Sequence, residues 1–289
     1  MRRAVFARTA AAALAVVTAA TGCSTSETAD TLGTSASDWR LTWSDEFDGP
    51  SGARPDPAKW RYDTGGEPQW GNAEWQYYTD RPENVSVDGR GNLVISARRE
   101  RLPEMAGCPY GTCDITSGRI TTLDRFAQSY GRFEARMKIP AGKGMWPAFW
   151  LMGVDIDANP WPDNGEIDVM ESVADDPGTV HGSAHGPGFA DPGFTDSYRM
   201  PGGQALADGF HLYSVEWGPA RIDWFLDGTS YFSVTEDDIA PGQRWVFDHP
   251  FYALLNLAVG GVWPGPPDAA TVFPAELLVD YVRVYERSE

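Results

Sequence analysis

The alternation of apolar and charged residues along residues 132–139 is the feature that most constrains how this chain folds. Every second residue is apolar, and the residues between are arginine, glutamate or lysine. A period of two is typical of a strand with one buried face. Residues 222–226 alternate in the same way and run into Asp227-Gly228, a strong hairpin signal. Residues 93–97 and 277–285 are further predicted strands.

From Trp39 onward, no segment has the apolar spacing of an amphipathic helix. Parallel sheets need helix-length crossovers between their strands, so a parallel βαβ architecture is excluded. We therefore expect an all-β fold with a single antiparallel sandwich over residues 39–289, because large β folds reach about 250 residues as one domain.

Three carboxylates lie within six residues in Glu166-Ile167-Asp168-Val169-Met170-Glu171. The β-branched residues and the Asn-Gly turn signal before them favour a strand. On a regular strand Glu166 and Asp168 face the same side, whereas Glu171 is an odd number of residues from Glu166 and faces the opposite side. A bulge among residues 169–171 would return Glu171 to the shared face. With that bulge, the three acids stand in one row.

Repulsion within such a row raises the pKa of at least one carboxyl, which then keeps its proton near neutral pH. One ionised and one protonated carboxyl beside a bond are the groups that hydrolyse glycosides. With the bulge, the Cα atoms of Glu166 and Glu171 lie roughly 13 Å apart at strand rise. Side chains leaning together could then place their carboxyls at the about 5–5.5 Å of a retaining enzyme. A solvated strand face and a calcium site are the alternatives, but calcium prefers oxygens on flexible loops.

The six-residue acid stretch resembles the signature of glycoside hydrolase family 16 in its laminarinase-like members. Carried over, the resemblance implies Glu166 as the nucleophile, Asp168 as its partner and Glu171 as the acid/base. Seven further segments are similar to such members in the same order. They are residues 43–47, 70–78, 116–120, 144–150, 181–185, 255–265 and 279–285.

The resemblance implies a β-jelly-roll whose concave sheet forms an open cleft. It implies an endo-acting, retaining hydrolase of β-1,3-glucan that needs no catalytic cofactor. A mixed-linkage β-1,3-1,4-glucanase is the alternative within the family, agar-type galactans are a weaker fit, and transglycosylation stays open. A non-catalytic β-glucan-binding protein is the alternative from another class, because fold alone does not decide function.

The net charge of −18 argues against nucleic acid and anionic membrane surfaces as partners. Without residues 1–22, which hold three arginines and no acid, the charge is −21. The chain also has 12 tryptophans and 11 tyrosines, whose flat rings suit the faces of sugars. A neutral polysaccharide therefore fits best, bound by what we expect to be a monomer.

Four tryptophans are candidate substrate contacts. Trp146 and Trp150 share one strand face, with Phe149 on the other. Burial in the core is the ordinary role of such rings, but the family resemblance implies that these two line the cleft. Trp161 and Trp263 lie in Pro/Gly-rich loops, where a large ring needs a reason, and we predict that they wall the cleft.

Several polar residues in aromatic surroundings are candidates for contacts to sugar hydroxyls. They are Asn72, Glu74, Gln76 and Arg119, with Arg119 alternatively a structural ion-pair residue. His185, with His181 in a His-Gly-x-x-His pattern, resembles a family position that contacts substrate, and we expect it near Glu171. Asn256 is interpreted as a buried polar group, with the cleft as its alternative position.

The N-terminal sequence predicts export. Residues 1–22 have a positive start and an Ala/Val-rich run too short to span a bilayer. The segment before Cys23 resembles a bacterial lipobox, which implies a lipidated Cys23 at the cell surface; plain secretion is the alternative. Residues 23–38 would form a flexible tether, so the membrane is a partner only through the lipid. An oxidising compartment favours a local disulfide between Cys108 and Cys113.

A calcium ion away from the chemistry is implied by the family resemblance. Glu46, the Gly91 carbonyl and Asp280 occupy the matching positions, and hard oxygen ligands suit calcium. Such an ion would stabilise the fold rather than take part in catalysis.

Overall fold

The computed structural model describes residues 38–105, 114–173 and 176–288. Its strands, in chain order, are β1 (Trp39–Asp45), β2 (Arg61–Tyr62), β3 (Tyr77–Tyr78), β4 (Val85–Val87), β5 (Leu93–Arg99), β6 (Ile115–Ser117), β7 (Arg119–Thr121), β8 (Gly131–Lys138), β9 (Met145–Gly153), β10 (Glu166–Glu171), β11 (Thr179–Gly186), β12 (Phe189–Arg199), β13 (His211–Gly218), β14 (Arg221–Leu226), β15 (Thr229–Thr235), β16 (Phe251–Val259) and β17 (Ala275–Arg287).

Across the described ranges these strands form two sheets. The larger has the order β15-β14-β13-β8-β17-β5-β6-β3, with β1 beside β17 and β4 beside β5. The smaller has the order β12-β11-β10-β9-β16-β7-β2. All pairs are antiparallel except the short β3–β6 pair. Helical structure in the described part of the chain is limited to three-residue 3₁₀ turns at Pro201–Gly203, Leu206–Asp208 and Glu236–Asp238. The predicted all-β jelly-roll sandwich is confirmed.

The strands predicted from periodicity are confirmed with small changes at their ends. They correspond to β5, β8, β14 and β17. The hairpin at Asp227-Gly228 is a two-residue turn, because Leu226 pairs with Thr229. Both turn residues have positive φ, 48° and 78°, as a type I′ turn requires.

The two sheets bury a continuous apolar core between them. Phe133 and Val215 come from the larger sheet, Phe149 and Leu255 from the smaller, and none is exposed to solvent. Along β9, Phe149 points into this core while Trp146 and Trp150 lie on the opposite side and stay partly exposed. We call this outer surface of the smaller sheet, over β9, β10, β11 and β16, the acid face, because Glu166, Asp168 and Glu171 lie on it.

Several predictions fall outside the described residues. These are the export signal at 1–22, the lipidated Cys23, most of the tether and the Cys108–Cys113 disulfide, and all of them stay predictions from sequence. In the part of the chain that the structure does describe, no helix has the length and apolarity to cross a bilayer.

Two glycines should differ sharply in what they contribute to this fold. A Cβ on Gly131, at φ 114°, would lie 2.0 Å from the Tyr285 carbonyl oxygen, whereas one on Gly228, at φ 78°, would meet nothing within 4 Å. We expect Gly228→Ala to lower the free energy of unfolding by about 1 kcal/mol through backbone strain alone, and Gly131→Ala by about 3 kcal/mol or more. Denaturant titration measures both, and equal losses would contradict the close approach of β8 to β17.

Candidate active site

A bulge in β10 sets the geometry of the acid face. Asp168 pairs with Trp150 on β9 and Glu171 with Ala148, so three steps along β10 match two along β9. The same mismatch appears against β11, where Asp168 pairs with Ser183 and Glu171 with His181. The extra residue restores Glu171 to the side of Glu166 and Asp168. The predicted bulge is therefore confirmed, and the three acids form one row.

All three acids have raised pKa values. Burial, followed by the charge of Asp168, raises the pKa of Glu166 to about 8. Burial raises the pKa of Glu171 to about 7, with the charge of Glu166 adding to it and a hydrogen bond from Trp146 opposing it. Burial and the charge of Glu171 also raise the pKa of Asp168. The row thus holds protons at neutral pH, as like charges on an apolar sheet require.

His185 supplies the positive charge next to this row. Its Nε2 lies 3.0 Å from Asp168 Oδ2, and its Nδ1 lies 2.8 Å from the Ala190 carbonyl oxygen. Burial opposes a second proton on the ring, but the hydrogen bond to Asp168 and the charges of Asp168 and Glu166 outweigh it and raise the pKa of His185 to about 10. This raised pKa favours the doubly protonated ring, so His185 forms an ion pair with Asp168.

The structure adds a detail to the position predicted for His185, which acts on the pKa of Glu171 through its charge. His185 pairs with Glu166 in the β10–β11 register, at the opposite end of the row from Glu171. The residue opposite Glu171 is His181. The pairing register of β10 and β11 decides which residue lies opposite which. The sequence that connects these two strands has no periodic pattern from which that register could be predicted. Contact of His185 with substrate stays a prediction.

Aromatic rings surround Glu171. Trp146 donates from Nε1 to Glu171 Oε1 at 2.8 Å. The exposed ring of Trp263 packs edge-on against Trp146, at 5.5 Å between centroids, and against His181, at 5.0 Å. This end of the row is therefore bordered by two indoles, with Trp263 rising from a loop.

The Glu166 end has a matching border. Met152 lies directly opposite Glu166 on β9 and belongs to a small apolar cluster with Tyr252 and Leu254. Trp161 lies close enough to Glu166 to lower its pKa, and its ring, 46% exposed, lies 6.4 Å from that of His185. The predicted loop tryptophans Trp161 and Trp263 thus stand at the two ends of the acid row.

Among the described residues, Glu166, Asp168 and His185 are the group whose ligand atoms come together as metal ligation requires, within 4.8 Å of one another. A metal-bound imidazole must offer an unprotonated nitrogen. In His185, Nδ1 faces a carbonyl oxygen, and the raised pKa of the ring favours a proton on Nε2, the nitrogen that faces Asp168. In this structure the cluster is arranged as an ion pair between His185 and Asp168, next to Glu166.

The acid face therefore carries paired carboxyls with raised pKa values, held between aromatic rings, which is the equipment of glycoside hydrolysis. Comparison with known proteins agrees, since the model of "Glycosyl hydrolases family 16" matches residues 72–283. The chain belongs to this family. It is therefore a glycoside hydrolase, as the acid stretch predicted.

Relatives in family 16 cover most of the chain. A beta-glucanase of Rhodothermus marinus is 43% identical over 272 residues, 88% of this chain and 89% of that protein. Glucan endo-1,3-beta-glucosidase A1 of Niallia circulans is 39% identical over 263 residues, 85% of this chain and 38% of that longer protein. The laminarinase catalytic domain of Thermotoga maritima superposes with a TM-score of 0.80 at 44% identity, covering 87% of this chain and 100% of its own.

A hydrogen-bonded chain that begins on the neighbouring strand β16 supports Trp150. Trp150 donates from Nε1 to Asn256 Oδ1 at 2.7 Å, and Asn256 donates from Nδ2 to the Tyr78 hydroxyl at 3.2 Å. Tyr78 in turn donates to the buried carboxylate of Glu74 at 3.2 Å. Asn256 and Tyr78 thus orient the Trp150 ring, a role that sequence reasoning missed because Asn256 is over 100 residues from both Trp150 and Tyr78.

Gln76 does not reach the cleft, so its predicted role in substrate binding is wrong. Its side chain has no solvent exposure. Its Oε1 accepts from the Val259 amide at 2.7 Å, and its Nε2 donates to Glu74. Asn72 donates to the same carboxylate at 3.1 Å but remains partly exposed. Gln76 connects the 70–78 segment to β16, while contact of Asn72 with substrate stays a prediction.

Arg119 takes the structural alternative. Its Nε donates to Asp63 at 3.1 Å, and its guanidinium lies between the rings of Trp70 and Trp150, at 4.5 and 4.8 Å from their centroids. Such stacking orders planar side chains over one another. Arg119, which pairs with Asn256 across β7 and β16, therefore helps to hold Trp150 in place, and contact with sugar stays a prediction.

The carboxylates predicted for calcium are engaged with arginines. Arg283 donates to both carboxylate oxygens of Glu46, at 3.0 and 2.9 Å. Arg136 holds Asp280 at 2.5 Å. A Cβ on Gly91 would lie 3.9 Å from the Glu46 carbonyl oxygen, so two of the three predicted ligands are neighbours through their backbones. The calcium site stays a prediction, with Arg136 as the cation already beside Asp280.

The raised pKa of Glu171 should appear as a pH-dependent stability cost. Its folded-state pKa of about 7 lies above the ordinary 4.5, so the cost is absent below pH 4.5, grows as pH rises to 7, and is constant above. Glu171→Gln removes this stability cost, although the partial exposure of Glu171 limits how large the cost can be. We expect Tm to rise by several degrees at pH 8 and little at pH 4, since 1 kcal/mol moves Tm by about 2–4 °C at this chain length.

The control for that measurement is Glu276→Gln, which removes the same charge at an exposed position of β17. Calorimetry of both variants from pH 4 to pH 8 compares them. If Tm varied with pH in the same way for Glu171→Gln and for the control, the environment of Glu171 would impose no cost on its ionisation.

Proposed function

We propose that this family 16 hydrolase cleaves β-1,3-glucan internally, with retention of anomeric configuration. Glu166 is the nucleophile, Asp168 its partner and Glu171 the acid/base. The observation that carries the proposal is the β10 bulge, which brings the outer glutamates to one face of the sheet. Two glutamates leaning over the same sugar from one side suit a double displacement.

In the first step, a Glu166 oxygen bonds to the anomeric carbon as the bond to the leaving-group oxygen breaks, and Glu171 gives that oxygen its proton. In the second step, Glu171 takes a proton from water. The water oxygen bonds to the anomeric carbon as the bond to Glu166 breaks. Glu171 ends protonated and Glu166 ionised, so both groups return to their starting states.

This cycle requires the proton on Glu171 while Glu166 is ionised. Burial and Asp168 give Glu166 the higher pKa of the two in the free protein, about 8 against about 7. An ionised Glu166 beside a protonated Glu171 is favoured once positive charge develops at the anomeric carbon, because that charge stabilises the neighbouring Glu166 carboxylate. The imidazolium of His185 acts in the same direction, since its charge lowers the pKa of Glu166.

The rings on the acid face support a neutral polysaccharide as substrate. Trp161 and Trp263 are 46% and 42% exposed at the two ends of the acid row, and exposed rings of this size suit sugar faces. Rings on both sides of the acids favour binding of sugars on both sides of the cleaved bond, as endo-action requires. The names of the relatives, beta-glucanase, endo-1,3-beta-glucosidase and laminarinase, favour β-1,3-glucan.

Incubation with laminarin tests the proposal directly. We expect new reducing ends, and proton NMR at early times should show the β anomer of the product first, because two inversions retain the configuration. An α anomer first would overturn the double displacement. Faster cleavage of mixed-linkage β-1,3-1,4-glucan than of laminarin would overturn the linkage, and binding without reducing ends from any glucan would make the protein a binding module.

Two variants should separate the roles of the glutamates. Glu166→Gln should lose activity on laminarin and on an aryl β-glucoside alike, because the amide cannot form the glycosyl intermediate. Glu171→Ala should lose about 10²–10⁴-fold on laminarin but far less on the aryl substrate, whose leaving group departs without a proton. Initial rates on both substrates measure this, with circular dichroism to verify folding. Equal losses on both substrates for Glu171→Ala would remove Glu171 as the acid.

A further inference from the structure

The bulge that aligns the glutamates also breaks the hydrogen-bond ladder of β10. The pairing register shifts directly after Asp168 against both neighbouring strands. A backbone group that loses its ladder partner in a buried sheet must be satisfied from elsewhere. In this protein the partner for the Asp168 carbonyl oxygen comes from the opposite sheet.

That partner is the indole of Trp224 on β14. Its Nε1 donates to the Asp168 carbonyl oxygen at 2.7 Å, and the side chain has no exposure to solvent. Trp224 thus reaches across the core and contacts the underside of the acid row, at the residue where the bulge begins.

Gly182 on β11 makes the room for this contact. It lies between His181, opposite Glu171, and Ser183, opposite Asp168, and therefore faces the two bulged residues. A Cβ at Gly182 would lie 2.5 Å from Trp224 Cδ1 and 2.8 Å from the Tyr231 hydroxyl. Tyr231 is itself the extra residue of a register shift in β15, between the partners of Trp224 and Phe225. Because Gly182 has no side chain, the Trp224 indole can pack directly against the β11 backbone, and any larger residue at 182 would displace the indole.

We infer that Trp224 is a positioning residue, whose hydrogen bond to the Asp168 carbonyl holds the bulge and so sets Glu171 relative to Glu166. The inference rests on the proposed function for its effect on rate, but not for its effect on the strand. Loss of the indole N–H should leave the bulge free to shift, and a displacement of about 1 Å between reacting groups can cost 10²-fold in rate.

Trp217 provides a matched control. It is 3% exposed, lies on the same sheet, and donates from Nε1 to the Phe247 carbonyl oxygen at 3.0 Å. Its ring packs against Phe251 of the opposite sheet, away from the acid row. Trp224→Phe and Trp217→Phe therefore remove the same kind of hydrogen bond from the core, with and without contact to the bulge.

The experiment compares these variants by hydrogen exchange and by kinetics, well below both Tm values. For Trp224→Phe we expect faster exchange of the amides of 166–171 and a kcat on laminarin lowered about 10- to 100-fold with KM within about twofold. The loss should shrink on an aryl β-glucoside, which does not need the Glu171 proton. Trp217→Phe should show neither change.

If Trp224→Phe does not fold, Gly182→Ala takes its place, with Gly186→Ala as control. A Cβ at Gly186 meets the Phe189 ring at 2.5 Å, on the same strand but beyond the acids. The inference would be overturned if Gly182→Ala matched Gly186→Ala both in the amide exchange rates of residues 166–171 and in the ratio of its rates on laminarin and the aryl β-glucoside. A wild type that cleaves no glucan would instead overturn the proposed function, and the exchange comparison would still decide the role of Trp224.

Discussion

Three carboxyls that stand side by side on an apolar sheet are the constraint on which the rest of this structure depends. Burial raises the pKa of Glu166, Asp168 and Glu171 together, and the charge of a neighbouring carboxylate raises each of them further. An isolated ionised carboxyl in such surroundings would be strongly destabilising. The surroundings offset this with the His185 ring next to Asp168 and with the Trp146 indole, which donates to Glu171. The same groups that make the row tolerable also decide where its protons reside.

The tryptophans of β9 are each held by one edge of the indole. Trp146 gives its N–H to Glu171, and Trp150 gives its N–H to Asn256. In each case one edge of the indole is committed to the protein while the ring stays partly exposed. A ring held by its edge and, for Trp150, by the Arg119 guanidinium needs little further ordering when a sugar binds, so less entropy is lost on binding. A tryptophan can thus be both a pKa-lowering donor and a binding surface.

The periodicity of the sequence predicted which side chains lie on which face of a strand, because the alternation of side chains is set by the local geometry of the strand. The separation of Trp146 and Trp150 from Phe149 follows from a period of two, and the bulge follows from parity, since without it Glu171 would enter the core. Pairing between distant segments was beyond such reasoning. His185 lies opposite Glu166 because of the β10–β11 register, and Gln76 is buried because a loop folds under β16. Arg119 and Glu46 find partners 56 and 237 residues away, which no local pattern reports.

The acid face is shaped from its underside as well as from its open side. A bulge aligns side chains only by leaving backbone groups without their ladder partners, and such groups are costly in an apolar interior. On a single solvated sheet water would satisfy them, and the strand could slip between registers. In a sandwich the opposite sheet can supply a donor of fixed position, as the Trp224 indole does for Asp168. The second sheet therefore does more than bury the first, because it limits which bulge conformation is stable. On this argument the spacing of the two outer glutamates is a property of the packed core, and core residues far from any substrate contribute to it.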